Sequence, residues 1–220
     1  MRIIFIFLFL FISCDDDHQI FPDDYSCDDG YTLENDYWND DTYCYLNDDI
    51  QVLQDFIDNS TETLLIEPTD WVNHDGVIQW YELGYQEWEN GRLIDFNTNF
   101  SPAPYTNVYN CNLSGSIPES IGNLTNITWL DLGGYYYDNS ESIHNNFSGN
   151  IPESFQYLVN LETLYLDNNE LEGNIPDIFN QLTNLKVLDL SYNQLTGSIP
   201  ASIWGLNKIT KLKLGENLLE

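Results

Sequence analysis

The chain has 220 residues, 42% of them hydrophobic, enough for a folded core. Its 36 Asp and Glu against 6 Lys and Arg give a formal net charge of −30, so a nucleic-acid strand or an anionic lipid surface would be repelled. His18, His74 and His144 stand far apart in the sequence, and no nucleophile–base pair or metal-ligand spacing links them, so the sequence offers no footing for an enzyme, a cofactor or a metal site.

Residues 1–13 are expected to be a signal peptide. Arg2 precedes an apolar run from Ile3 to Ile12 that is too short to span a bilayer. The run ends Leu10-Phe11-Ile12-Ser13-Cys14, a small residue ahead of a cysteine, and resembles a bacterial lipoprotein signal with Phe11 where leucine is usual. That resemblance implies lipid on the Cys14 thiol. Asp15-Asp16-Asp17 are similar to the surface-export signal of some Gram-negative lipoproteins. The implied location is the outer membrane or cell surface, with the membrane engaged through the lipid alone; plain secretion is the alternative. Both place the mature chain outside the cytoplasm, where disulfides persist.

Residues 14–47 read as an acidic tether followed by a small motif, with Cys27 and Cys44 suited to a local disulfide that closes a loop with little core of its own. No EF-hand pattern of acidic residues and glycine appears in it, and calcium binding there is left open. Residues 48–92 read as an N-terminal cap. Ile50, Leu53, Phe56 and Ile57 recur at helical spacing, with Asp48 or Asp49 placed to cap the start and Asn59-Ser60 to end it. Trp71, Trp80, Tyr81, Tyr85 and Trp88 supply apolar area, and Asn90-Gly91 marks a tight turn between two strands.

Residues 93–220 repeat. Leu93, Ile127 and Leu161 are 34 residues apart, and Leu161, Leu185 and Ile209 are 24 apart, so the first two of about five units carry ten extra residues each. The cleanest unit runs Leu185, Leu188, Leu190, Asn193, Leu195, Gly197, Ile199, Pro200, Ile203, Leu206. A period of about this length marks a solenoid, in which each turn stacks only on its neighbours. Leucines at the first, fourth and sixth places point inward from a short parallel strand. The asparagines Asn145, Asn169, Asn193 and Asn217 are expected to bond backbone groups in the turn, and Cys111 takes that place in the first unit as a small buried thiol. Pro118, Pro152, Pro176 and Pro200 are expected at the first position of a short helical turn on the outer side.

Leu113-Ser-Gly-Ser-Ile-Pro-Glu-Ser-Ile-Gly-Asn-Leu-Thr-Asn126 resembles the plant-type leucine-rich repeat of receptor-kinase ectodomains and polygalacturonase-inhibiting proteins, over residues 91–220. The resemblance implies an α/β leucine-rich-repeat solenoid, with short parallel strands on the concave face and short 3₁₀ turns on the convex face. Upstream, Val52 to Ile57 and Gln86 to Leu93 are similar to the helix-plus-hairpin cap of bacterial surface lipoproteins, and the paired cysteines of the plant cap are absent. The family implies non-enzymatic recognition of a protein or glycan on the concave side.

By register, the outward third place holds Asp95, Trp129, Thr163, Val187 and Lys211, and the fifth holds Asn97, Asp131, Tyr165, Asp189 and Lys213. Trp129, Asp131, Tyr165, Asp167, Asp189 and Tyr192 are therefore the candidate ligand contacts. Aromatic rings among carboxylates suit sugars and basic protein patches alike. The inserted segments, near 99–110 and 133–144, add Tyr105, Tyr135, Tyr136 and Tyr137, expected side by side at one rim. The alternative to a binding module is an assembly protein whose array stacks with other chains, suggested by an array ending at Leu218-Leu219-Glu220 without a capping sequence.

Overall fold

The computed structural model describes residues 29–35, 42–60, 83, 85–98, 113–134 and 145–220. The signal segment, Cys14, Cys27, Cys111, the three histidines, Tyr105 and Tyr135 to Tyr137 lie outside them. No helix among the described residues is long and apolar enough to cross a membrane.

Two antiparallel strands, β1 (Tyr31–Asn35) and β2 (Thr42–Leu46), come first. They are a hairpin that the aperiodic acidic sequence did not signal. β2 runs directly into α1 (Asn47–Asn59), which buries Val52, Leu53 and Phe56, with Ile50 and Ile57 half-buried at the edge of the same face. The expected apolar face is thus rotated slightly to take in Val52. Neither Asp48 nor Asp49 caps the helix: the cap position is Leu46, which has no side-chain cap bond. With no loop between strand and helix, that position falls on a strand residue, and Asp49 turns inward instead.

Asp49 is what ties α1 to the array. Its carboxylate accepts Arg92 Nε at 2.9 Å, Arg92 Nη2 at 3.1 Å and the Leu93 amide at 2.8 Å. The Phe56 ring sits 5.8 Å from Phe96 and 5.7 Å from Phe147, so one helix residue packs on two successive units. Asn59 Nδ2 donates to the Ser116 carbonyl at 2.9 Å and the Ser114 amide to Ser60 Oγ at 3.0 Å, fixing the helix end against the next strand.

β3 (Tyr85–Glu89) and β4 (Arg92–Asn97) form the second hairpin. Asn90 and Gly91 take φ of 52° and 74°, the positive pair that a two-residue turn of matching twist needs. β4 then opens a parallel sheet with β6 (Trp129–Asp131), β8 (Thr163–Tyr165), β10 (Val187–Asp189) and β12 (Lys211–Lys213), and β3 closes its edge. A second parallel sheet, which the sequence reading did not foresee, joins β5 (Ser114–Ser116), β7 (Asn146–Gly149), β9 (Glu170–Asn174), β11 (Gln194–Gly197) and β13 (Leu218–Leu219). It runs through the Leu-x-Gly-x-Ile part of each unit. Gly173 there has φ 74°, a backbone that favours glycine, and a Cβ on it would displace the Asn150 side chain of the preceding unit, whose Oδ1 lies 2.3 Å away.

Among the described residues four 3₁₀ turns line the outer side, at Glu119–Asn123, Glu153–Tyr157, Phe179–Gln181 and Ala201–Gly205. Pro118, Pro152 and Pro200 cap three of them from just outside, with extended ψ of 138–150°, not from the first helical position as expected. Pro176 lies further upstream of the third, which Ile178 caps. The short Ile-Pro approach stays extended because it is still leaving the second sheet.

The interior is continuous. Leu113, Ile127, Leu130, Leu132, Leu161, Leu185 and Leu188 are fully buried, with Phe155 and Phe179 closing the convex side. Beneath the strands runs the asparagine ladder. Asn145, Asn169, Asn193 and Asn217 each accept an amide, from Leu113, Phe147, Leu171 and Leu195, and each donates to carbonyls of its own turn or the preceding unit. In the first unit Thr98 fills the sixth, inward place, where its buried hydroxyl receives Asn145 Nδ2 at 2.6 Å.

Candidate functional site

The register read from the sequence is the register found. Asp95 pairs with Trp129, Trp129 with Thr163, Thr163 with Val187, and Val187 with Lys211; Asn97, Asp131, Tyr165, Asp189 and Lys213 pair in the same order. These two rows are the outward rows of the first sheet.

The structure brings some of the candidates together. The Trp129 and Tyr165 rings stand 6.0 Å apart at 49°, and Trp129 is 37% exposed, a large apolar area on an open sheet. Lys211 Nζ lies 4.8 Å from the Tyr165 ring centre, a cation–π contact. Asp131 accepts the Gly133 amide at 3.1 Å. Asp167 accepts Asn168 Nδ2 at 2.7 Å and packs where a side chain on Gly133 would collide, 2.8 Å from a Cβ there.

Asp189 differs from what its place in the repeat implies. It is 1% exposed, accepts Ser191 Oγ at 2.5 Å, and pairs with Lys213 at 3.0 Å and Lys211 at 3.9 Å. The two lysines fold back over it from the next strand, so its carboxylate serves the array and not the open face. Lys211 and Lys213 thus direct their charge at Asp189 within the protein, and contact with Asp189 raises the Lys213 pKa.

Tyr192 stands apart at the rim, 57% exposed, with φ 56°. Asn168 and Glu216 hold the same place in their units with φ 55° each. The turn therefore imposes a left-handed backbone there, which asparagine adopts readily and a bulky residue at some cost. Cys44 is half-buried and disulfide-bonded.

Sequence reasoning missed one group. Glu87 on β3 lies opposite Asp95 on β4, which in turn pairs with Trp129. Asp95 Oδ1 is buried and has no hydrogen-bond partner. Burial, then Glu87 and Asp131, push the Asp95 pKa to about 7. Burial, then Asp189, raise Asp167 to about 6, with the Asn168 bond opposing and Asp131 adding. The Asn90-Gly91 turn pointed to the hairpin, but a bulge between Glu87 and Trp88 sets which residues face each other.

Both carboxyls hold a proton more tightly folded than at their ordinary value of 3.8. The folded chain then binds more protons than the unfolded chain, so this contribution to stability is complete below pH 3.8 and is lost as pH rises through about 6 and about 7. The melting temperature is expected to fall between about pH 4 and about pH 7, and Asp95→Asn to flatten that fall. An unchanged slope in Asp95→Asn, measured by thermal melts in matched buffers, would refute the assignment.

Parallel strands on one side, 3₁₀ turns on the other and a ladder of asparagines between them define a leucine-rich-repeat solenoid. Residues 159–219 match the Leucine rich repeat family model, and residues 105–124 match a second Leucine Rich Repeat model. No curated protein matches this chain. Among solved structures, a plant ice-binding protein is 30% identical over 80% of this chain and 50% of its own, with TM-score 0.58. The BIR2 ectodomain of Arabidopsis thaliana is 26% identical over 78% of this chain and 81% of its own, with TM-score 0.56. The BIR3–SERK2 complex of Arabidopsis thaliana matches at 27% identity over 74% and 81%, with TM-score 0.51. Other relatives are far longer: the chain spans 17% of a TDR receptor and 15% of the peptide hormone receptor RGFR1.

Proposed function

We propose that the chain is a non-enzymatic binding module acting outside the cytoplasm, which receives a protein ligand on its concave sheet. The observation that carries this reading is the Trp129–Tyr165 pair, exposed ring area held on a rigid sheet among carboxylates. Rigid aromatics on open surfaces dominate binding energies, because they bury much area with few rotatable bonds. Tyr192, a bulky side chain kept in a left-handed turn, adds a second aromatic at the rim. The likeness to a structure of a protein–protein complex, BIR3 with SERK2, favours a protein ligand. A glycan is the second reading, since the flat Trp129 ring would equally stack on a sugar.

The test is affinity capture from native surroundings with the chain as bait, against the same bait carrying Trp129→Ala, Tyr165→Ala and Tyr192→Ala. A protein partner lost by the triple variant is the expected result. A partner retained by it would move the site to Tyr105 and Tyr135 to Tyr137 or to the cap, and recovery of glycans alone would favour the second reading.

The leader-like residues 1–13, and a neighbour that is an ectodomain, BIR2, support an extracytoplasmic location. Lipid on Cys14 and a Cys27–Cys44 bridge complete the proposal. Growth with a labelled fatty acid is expected to mark the chain and to leave Cys14→Ser unlabelled; label on that variant would exclude the anchor.

A further inference from the structure

We infer that the edge of the concave face formed by Asp95, Glu87 and Trp129 accepts an arginine or lysine side chain from an extended segment of the protein partner. This rests on the concave-face reading and adds the chemistry of its ligand.

Among the described residues the protein answers its two fully buried carboxylates, Asp49 and Asp189, with its own cations. Asp49 is met by Arg92 and by the Leu93 amide. Asp189 is met by Lys213 and Lys211, and Lys211 also lies over the Tyr165 ring. Asp95 repeats the second arrangement with one part absent. It has an aromatic beside it in register, Trp129, and a second carboxylate opposite, Glu87, but its buried Oδ1 receives no donor. A half-buried carboxylate with one oxygen lacking a donor costs free energy, and a cation docking against that carboxyl, beside Glu87, would offset it.

Among the described residues no Lys or Arg is left to supply such a cation. The chain contains 6 Lys and Arg: Arg2, Arg92, Lys186, Lys208, Lys211 and Lys213. Arg92, Lys211 and Lys213 are engaged as above, Lys186 pairs with Glu162 at 2.6 Å, and Lys208 bonds Asn184 at 2.7 Å. Arg2 falls in the leader-like segment. With every described Lys and Arg engaged, a cation from outside is the one that fits. A guanidinium suits the place best, because it can donate to Asp95 while its plane rests on Trp129. The raised Asp95 pKa of about 7, caused by burial, Glu87 and Asp131, means that docking a cation expels a proton, so affinity should rise with pH up to about 7.

The experiment is calorimetric titration of the full chain with a capped Gly-Arg repeat peptide, its citrulline analogue of equal shape without charge, and a Gly-Glu counterpart. The arginine peptide is expected to bind and the other two not. Asp95→Asn and Trp129→Ala should each weaken it about tenfold, the scale of one charge-assisted bond, while Glu172→Gln, an equal loss of charge on the exposed second sheet, leaves it unchanged. Equal weakening by Asp95→Asn and Glu172→Gln would overturn the inference, since binding would then follow overall acidity. Equal binding of the citrulline peptide, still lost in Trp129→Ala, would overturn the cationic chemistry and leave the concave-face reading standing. Failure of all three peptides to bind would also overturn it, without touching a partner captured through Trp129.

Discussion

Asp49→Ala is expected to destabilise the fold by about 3–5 kcal/mol, the range for removing one partner of a buried ion pair. The Asp49 side chain is fully buried and that of Arg92 is 21% exposed. Removing the carboxylate strands the guanidinium and leaves the Leu93 amide, the first of the array, without its acceptor at 2.8 Å. It also releases α1 from the strand it guards, although Phe56 still packs on Phe96 and Phe147. Set against the roughly 5–15 kcal/mol that holds an ordinary domain together, this is a large fraction. The contrast is Glu162, whose bond to Lys186 is shorter, 2.6 Å, but whose partners are both about half exposed. Breaking an exposed pair costs about 1 kcal/mol or less, because water already solvates both ends. Urea unfolding of Asp49→Ala, Arg92→Ala, their double variant and Glu162→Ala measures this directly. The double variant should be little worse than the poorer single. An Asp49→Ala cost no greater than that of Glu162→Ala would sink the argument.

Asn193→Ala carries the second large effect. One side chain accepts the Leu171 amide at 3.0 Å and donates to the carbonyls of Leu166, Leu190 and Ser191 at 2.9, 3.2 and 3.3 Å. Those groups lie in three successive stretches of chain, so one amide joins two neighbouring units. Each buried group left unsatisfied costs about 1–3 kcal/mol, and shared carbonyls recover part of it, so a net loss of about 3 kcal/mol is expected. Because each unit of a solenoid leans only on its neighbours, the damage should stay local. Hydrogen exchange is therefore expected to quicken between Leu164 and Leu195 while α1 and β4 remain protected. Uniform loss of protection along the chain would show that the array unfolds as one unit. Asn193→Asp should be worse than alanine: it keeps an acceptor for the Leu171 amide but turns a negative oxygen toward three carbonyls.

What could be read in advance followed from repetition. Leu185, Leu188 and Asn193 do the same work as Leu161, Leu164 and Asn169, so each unit vouches for the next, and the outward rows from Asp95 to Lys211 and from Asn97 to Lys213 could be written down before any strand was seen. Where the residues do not repeat, the reading was weaker. Asp131 and Asp189 hold the same place in their units and each accepts the amide two residues on, yet Asp189 is also buried beneath Lys213. What distinguishes them is the residue one unit further on, Tyr165 in one case and lysine in the other. The second sheet escaped notice because its strands are short and rich in glycine, the opposite of a strand signature.

The sequence by itself determined the solenoid, its register and its asparagine ladder, because a period of buried side chains repeated at constant spacing has few ways to bury them all. It also determined the acid excess, a charge that repels a nucleic-acid strand. Only the tertiary structure decided which carboxylates are satisfied from within. Arg92 reaches Asp49 across more than forty positions of chain, Lys213 reaches Asp189 across one unit, and a bulge sets Glu87 against Asp95. Electrostatic partners are chosen by distance in space and by burial, and neither is written in the order of residues.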